Sequence, residues 1–338
     1  MKVSTERVKK TVVGKLAGAL WRRRRFPRVV LRSEQTRRRE SRRGPSMSAP
    51  PGSSSTLFIV PVGPKQAAEL SDTLASIRRY EPAADVVVLS DGAYDIGQEL
   101  VDDAFPGARL WRAPRLSGGP PRLSPPLLWA YRRALGEFPF RILCKLDTDA
   151  LLTGSGLFER ARASFEEDPN LGLLGSTAVR ADGVPSDLCY SAEVLAHERR
   201  WSRIVRETLE AAERRGWDGA EAHGGVYLVS RIALERLADS GFLRSTPPWW
   251  SLLGEDLWLA LGVAGAGYGI GSYGAPGEPL ASGQGFLPIA KEDVLDRGVL
   301  AIHSVRRGVA GEDEAELRAF FRSARRRVPT SRTQDRIA

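Results

Sequence analysis

Asp147-Thr148-Asp149 closes the run Ile142-Leu143-Cys144-Lys145-Leu146, so two carboxylates stand one residue apart at the end of a buried-looking strand. Desolvating a carboxylate is costly unless a cation or hydrogen-bond donors compensate. A hard divalent metal carrying a diphosphate would compensate, because Mg²⁺-like ions take few protein carboxylates and leave positions for phosphate oxygens. His303 follows a short apolar strand, and a neutral imidazole joins carboxylates around Mn²⁺-type metals. In Gly254-Glu255-Asp256, Asp256 falls in the first turn of a predicted helix running through Leu261. There the helix dipole favours an ionised carboxylate, which suits a general base. Each piece also has an ordinary reading. D-x-D pairs arise by chance, His303 would serve equally as a hydrogen-bonded structural histidine, and Glu255-Asp256 as a helix cap.

The elements before this site alternate strand and helix. Leu57-Phe58-Ile59-Val60-Pro61-Val62 is a short apolar run with β-branched residues, a buried strand. Leu70, Leu74 and Ile77 mark a helix, and Asp85–Leu89 a second strand that stops at Ser90-Asp91-Gly92. A helix around Leu127–Leu135 leads into the strand Ile142–Leu146. Strand, helix and strand with short connections make a βαβ unit, hence an α/β fold with a mostly parallel sheet flanked by helices. Such sheets bind ligands beyond the carboxyl ends of their strands. Those ends carry Pro61 and Val62, Asp91, and Asp147–Asp149.

The second half supplies Gly224-Gly225-Val226-Tyr227-Leu228-Val229-Ser230-Arg231, a strand opening on two glycines that mark either a close approach of backbone to a ligand or a simple bulge. A helix follows from Ile232 to about Leu237. Trp249 and Trp250 lie in a Pro-flanked loop, where exposed indole faces would be platforms for sugar rings, although plain packing accounts equally for one of them. The segment Gly262–Gly277 has neither the ending of a phosphate loop nor a dinucleotide-binding context, and reads as a flexible loop or lid. Residues 314–327 form a basic amphipathic helix. His197 reads as surface, and His223 as a candidate for the crevice wall.

Charge is unevenly placed. Residues 1–55 hold 16 Lys/Arg against 3 Glu, a net of +13 in a chain whose total is +9, so the remainder carries −4. A basic-surface argument for nucleic-acid binding therefore applies to the tail alone, and nucleic acid is not the expected partner. Residues 1–55 read as a basic, largely disordered tail, with an amphipathic helix at 8–21 as one option. Through residues 1–43 it could touch an anionic membrane peripherally. Residues 56–310 form the main domain, and 311–338 a basic helix and tail. Cys144 and Cys189 suggest neither a disulfide framework nor a zinc site. Without a ~20-residue apolar span or a secretory signal, the expected location is cytoplasmic.

In this order the motifs resemble a glycosyltransferase of the GT-A fold over roughly residues 56–305, nearest the inverting β-1,3-galactosyltransferase/Fringe type. Cys144–Asp149 resembles that group's Lys-x-Asp-Asp-Asp strand, Gly224–Ser230 its Gly-Gly-x-Tyr-x-x-Ser segment, and Glu255-Asp256-Leu257 its Glu-Asp-Val. The opening also resembles family 2 glycosyltransferases. The resemblance implies a nucleotide-diphosphate sugar donor, with a UDP-sugar favoured, and a glycan or glycolipid acceptor. It implies that Asp149 and His303 ligate Mn²⁺ or Mg²⁺, with Asp147 at the donor ribose or the metal. Pro61, Val62, Asp91, Gly224 and Gly225 would line the donor site. Asp256 would deprotonate the acceptor hydroxyl, and Glu255, Trp249 and Trp250 would position the acceptor sugar. Ser90 replaces the first acidic residue of the family 2 turn, and Pro125-Pro126 stand near a lysine of the galactosyltransferase-like group. Eukaryotic members are lumenal and disulfide-bonded, so a bacterial enzyme of glycan synthesis fits this chain better. The rivals are a retaining GT-A transferase and a non-catalytic nucleotide- or glycan-binding protein docked by its tail.

Overall fold

The computed structural model of the chain describes residues 56–90, 96–113, 123–177, 179–184, 189–245 and 251–327. The tail 1–55, Asp91, Trp249 and Trp250 lie outside the described residues. β1 (Thr56–Val62), β2 (Asp85–Ser90), β3 (Arg109–Arg112) and β4 (Ile142–Leu146) are separated by helices α1 (Ala67–Tyr80), α2 (Gln98–Ala104) and α3 (Ser124–Glu137). β1 pairs in parallel with β2 and β4, and β2 with β3. The sheet is completed by β6 (Leu171–Gly175), β7 (Val226–Ser230) and β8 (Gly269–Ser272), in the order β3-β2-β1-β4-β7-β6-β8. β7 runs antiparallel to β4 and β6, while β6 and β8 are parallel. The α/β fold expected from sequence is thus present as a seven-stranded, mostly parallel sheet with one reversed strand.

Both faces of the sheet are covered at β1, β2, β4 and β7, which is why those strands are largely apolar instead of alternating, whereas the edge strands β3 and β8 are more exposed. Leu57 and Ile59 of β1 join one cluster with Leu127 and Tyr131 of α3 and with α8 (Glu255–Ala266). Phe58, Val60 and Val62 join the other, with Leu70, Leu74 and Ile77 of α1 and Leu157 and Phe158 of α4 (Leu157–Glu167). α5 (Cys189–Trp201) and α6 (Arg203–Glu213) precede β7, and α7 (Arg231–Asp239) follows it. Among the described residues no helix is long and apolar enough to cross a membrane.

A second sheet, β5 (Ala150–Leu152), β10 (Ala301–His303) and β9 (Leu280–Ser282), sits beside the end of β4. Its register sets His303 opposite Ala150 on one side and Ser282 on the other. α9 (Lys291–Asp296) precedes β10, and α10 (Glu314–Arg327) closes the described chain.

The glycine-rich segment 262–277 is not the loop expected from its composition. α8 continues to Ala266, and β8 occupies 269–272. Two of its glycines admit close neighbours: a Cβ on Gly262 would lie 2.4 Å from the Phe242 ring, and one on Gly265 2.8 Å from a Thr208 methyl. Close packing, not flexibility, selects glycine there.

Candidate functional site

The end of β4, the start of β7, the first turn of α8 and the end of β10 converge. Asp147, Asp149 and His303 present one ligand atom each, all within 4.8 Å of one another. Local hydrogen bonding explains why they meet. The Asp147 N–H donates to Gly225 O at 2.9 Å, which ties the D-x-D turn to the head of β7. The Val305 N–H donates to Asp149 O at 2.9 Å, and the β5–β10 register brings His303 alongside.

Asp149 is a buried carboxylate surrounded by donors. His303 Nε2 lies 3.4 Å from Oδ1, while Arg306 Nε and the Ser304 hydroxyl each lie 2.8 Å from Oδ2. Burial works to raise its pKa, but hydrogen bonding and charge from His303, with Ser304 and Arg306, hold it well below the usual carboxylate range. On the other side of the imidazole, His303 Nδ1 hydrogen-bonds Ser282 Oγ at 3.3 Å, which leaves Nε2 facing the aspartates. A partner on the second nitrogen is how ligating histidines are oriented. Asp147 behaves differently. Burial outweighs the neighbouring Lys145 and pushes its pKa up to about 6.

Lys145 is the residue that sequence reasoning missed as a site member. Its side chain is 0% exposed, and Nζ lies 2.7 Å from Asp147 Oδ1 and 3.0 Å from Glu255 Oε1. Nζ also donates to Gly224 O and sits 5.6 Å from the centre of the Tyr227 ring. The Tyr227 hydroxyl in turn meets that of Tyr131 at 2.6 Å. The signal was available, because a lysine inside an apolar, doubly covered strand must find an anion.

Through Lys145 and Gly224 the aspartate turn is joined to the acidic pair of α8. Gly224 N–H donates to Asp256 Oδ2 at 3.1 Å, and Asp256 Oδ1 accepts from Leu257 N–H at 2.8 Å. Asp256 stands in the first helical turn, as expected, but its surroundings act against the ionised form that the helix dipole favours. Burial, then the charges of Glu255 and Glu221, push its carboxyl well above the usual range despite those two donors. His223 is part-buried nearby, its pKa lowered by burial and then by the charges of His303 and Arg180.

The glycine pair admits the chain's own side chains. A Cβ on Gly225 would fall 2.0 Å from His303 Cγ, and one on Gly224 2.7 Å from Glu255 Oε1. Larger residues there would expel the imidazole and the acidic pair. Pro61 and Val62 are at the tip of β1 with buried side chains, so the polar atoms they offer are those of their backbone. Ser282, Ser304 and Arg306 join the site unforeseen, because β9 and the turn after β10 carry no pattern that marks them.

The donor set is two carboxylates and one imidazole on a site already rich in cation partners, and this chemistry suits Mn²⁺ or Mg²⁺.

No known family profile matches the chain, and no curated protein matches it. Among solved structures it is similar to the mannosyltransferase PcManGT from Pyrobaculum calidifontis, determined in complex with GDP-Man and Mn²⁺, at 16% identity and a TM-score of 0.41. That alignment covers 79% of this chain and 64% of the mannosyltransferase, so the chain spans less than two thirds of that protein's length. It is also similar, at 13% identity and a TM-score of 0.41, to a glycosyltransferase involved in glycosylation of the major capsid of PBCV-1, covering 79% of this chain and 98% of that one.

Proposed function

We propose that the chain is a metal-dependent glycosyltransferase of GT-A type that moves a sugar from a nucleotide-diphosphate donor to a glycan or glycolipid hydroxyl. The observation that carries this reading is the convergence of Asp147, Asp149 and His303 within 4.8 Å, joined through Lys145 to the Glu255-Asp256 pair. Asp149 and His303, with Asp147, would hold Mn²⁺ or Mg²⁺. The ion, when bound, offsets the charge that builds on the diphosphate leaving group. Arg306, paired with Asp149 and itself exposed, is free to turn toward a phosphate. Asp256 takes the acceptor proton as its hydroxyl attacks the anomeric carbon, which inverts the configuration. Asp91, Trp249 and Trp250 remain the proposed contacts for the nucleotide and the acceptor sugar, and a UDP-sugar is the first donor to test.

The raised pKa of Asp256 favours a second reading, in which a protonated Asp256 donates a hydrogen bond to the acceptor and the enzyme retains configuration. The anomeric configuration of the product, read by NMR, separates the two. For the common part of the proposal, donor turnover is measured with and without EDTA, and in Asp149→Ala. Turnover that survives both overturns it. A binding protein docked by its tail would show no turnover at all, and would lose its ligand affinity on deletion of residues 1–46.

A further inference from the structure

We propose that Arg318 of α10 is a positioning residue for the D-x-D turn, so that the last described helix sets divalent-cation affinity at Asp147, Asp149 and His303. This rests on the metal-site reading above. Thr148, the residue between the two aspartates, has its carbonyl held from two directions. Arg318 Nη2 donates to it at 2.7 Å, and Thr73 Oγ1 lies 2.9 Å from it and 2.9 Å from Ala150 O. The same guanidinium donates from Nη1 to Asp72 Oδ2 at 3.1 Å and from Nε to Glu314 Oε1 at 2.9 Å. One planar fork thus serves the turn, helix α1 and its own helix, with its side chain 7% exposed. A lysine carries its three donors on a single nitrogen, so it cannot span acceptors that a planar fork reaches from three separate nitrogens.

α10 also reaches the other arm of the site. Leu317 and Phe321 share one buried cluster with Ile302 and Val305, which flank His303 in sequence, and with Leu151 just beyond Asp149. From sequence alone this helix reads as lying outside the 56–310 domain. Its contacts instead brace both strands that carry the ligands, from a position 170 residues beyond Thr148. Arg322 offers an internal control. It pairs with the same Asp72 at 3.5 Å, but its side chain is 51% exposed.

The test is Mn²⁺ binding by the full chain, followed by the EPR signal of free Mn²⁺, with metal-free melting recorded in parallel. Arg318→Lys is expected to weaken binding about tenfold, the low end for loss of a group that orients a metal ligand. Thr73→Val, nearly isosteric, is expected to weaken it a few-fold, and Arg322→Ala to leave it unchanged. Melting alone does not separate positioning from plain stabilisation, whereas affinity compared at matched folded fraction does. Wild-type affinity in both Arg318→Lys and Thr73→Val overturns the proposal. If Arg318→Lys does not fold, Thr73→Val decides. A wild-type chain that binds no Mn²⁺ overturns the metal-site reading, and the proposal with it.

Discussion

Replacing Lys145 with Met tests the network that joins the two halves of the site. The substitution keeps an unbranched, apolar stem of similar length and removes only the cation. Two carboxylates then lose their partner, Asp147 at 2.7 Å and Glu255 at 3.0 Å, around a position with 0% exposure. Breaking a buried ion pair by removing one member costs about 3–5 kcal/mol, because the other charge remains desolvated. For a domain of this size, roughly 2–4 °C accompanies each kcal/mol, so the melting temperature should fall by roughly 6–20 °C near neutral pH.

The loss should also depend on pH. Asp147 already titrates at about 6 in the folded chain, against an ordinary value of 3.8. A carboxyl raised on folding contributes stability that is present below 3.8 and lost as the pH rises through its folded value. Removing Lys145 raises that folded value further, so the Asp147 part of the penalty should grow with pH and the total should be smaller at pH 5 than at pH 8. Melting in metal-free buffer across that range is the assay. Glu255→Gln in the Lys145→Met background should restore part of the loss, because it removes one of the two unpaired charges. A penalty under about 2 °C at pH 7, or one equal at pH 5 and 8, would refute the idea that Lys145 acts by neutralising this pair.

The metal reading predicts that Mn²⁺ raises the melting temperature of the wild type, increasingly so from pH 5 to 7 as Asp147 loses its proton, and has no effect on Asp149→Ala. Thermal shift at fixed Mn²⁺ across that range reads both outcomes. Gly225→Ala, whose new methyl would fall 2.0 Å from His303 Cγ, should destabilise by about 1–3 kcal/mol and abolish the Mn²⁺ response. Chemical denaturation with and without the metal measures the two effects separately. Asp256→Asn should lower turnover at least about 100-fold, in the range for loss of a general base, without lowering the melting temperature at pH 8. A carboxyl pushed up by burial costs stability at high pH, and the amide removes that cost. Under the inverting reading, wild-type turnover should rise with pH as Asp256 ionises.

What the sequence made legible followed from how completely each strand is covered. β1, β2 and β4 are buried on both faces, so their apolar runs stand out from a single sequence, and βαβ geometry then orients their carboxyl ends. The small sheet was harder to see. β5, β9 and β10 are three residues each, too short for periodicity, and only His303 betrayed one of them. The ring of Phe242 against Gly262 is a tertiary fact, so composition alone misread 262–277 as a loop. Arg318 and Thr148 are far apart in sequence, and neither residue type announces a bond between a guanidinium and a backbone carbonyl.

The reading of Asp256 shows where local rules lose to tertiary ones. Placement in the first turn of α8 was legible from Gly254-Glu255-Asp256, and the dipole there favours the anion by about 0.3–1 kcal/mol at an exposed site. Burial of the same carboxyl acts in the opposite direction and is the larger influence. Glu255 adds a second anion at the adjacent residue, and Lys145 pairs with Glu255 rather than with Asp256. Burial and the neighbouring anion together outweigh the dipole, and the carboxyl rises. That outcome serves either reading, because a protonated carboxyl can donate to the acceptor and an ionised one is the stronger base. A carboxylate with a low pKa is a weak base, whereas one raised toward the working pH accepts a proton with greater driving force once it is ionised. Asp149, held low by its donors, has the opposite property and remains an anion for a cation to find. The two aspartates are set apart in basicity by their surroundings, one held ionised by hydrogen bonds and charge and the other made more basic by the loss of water.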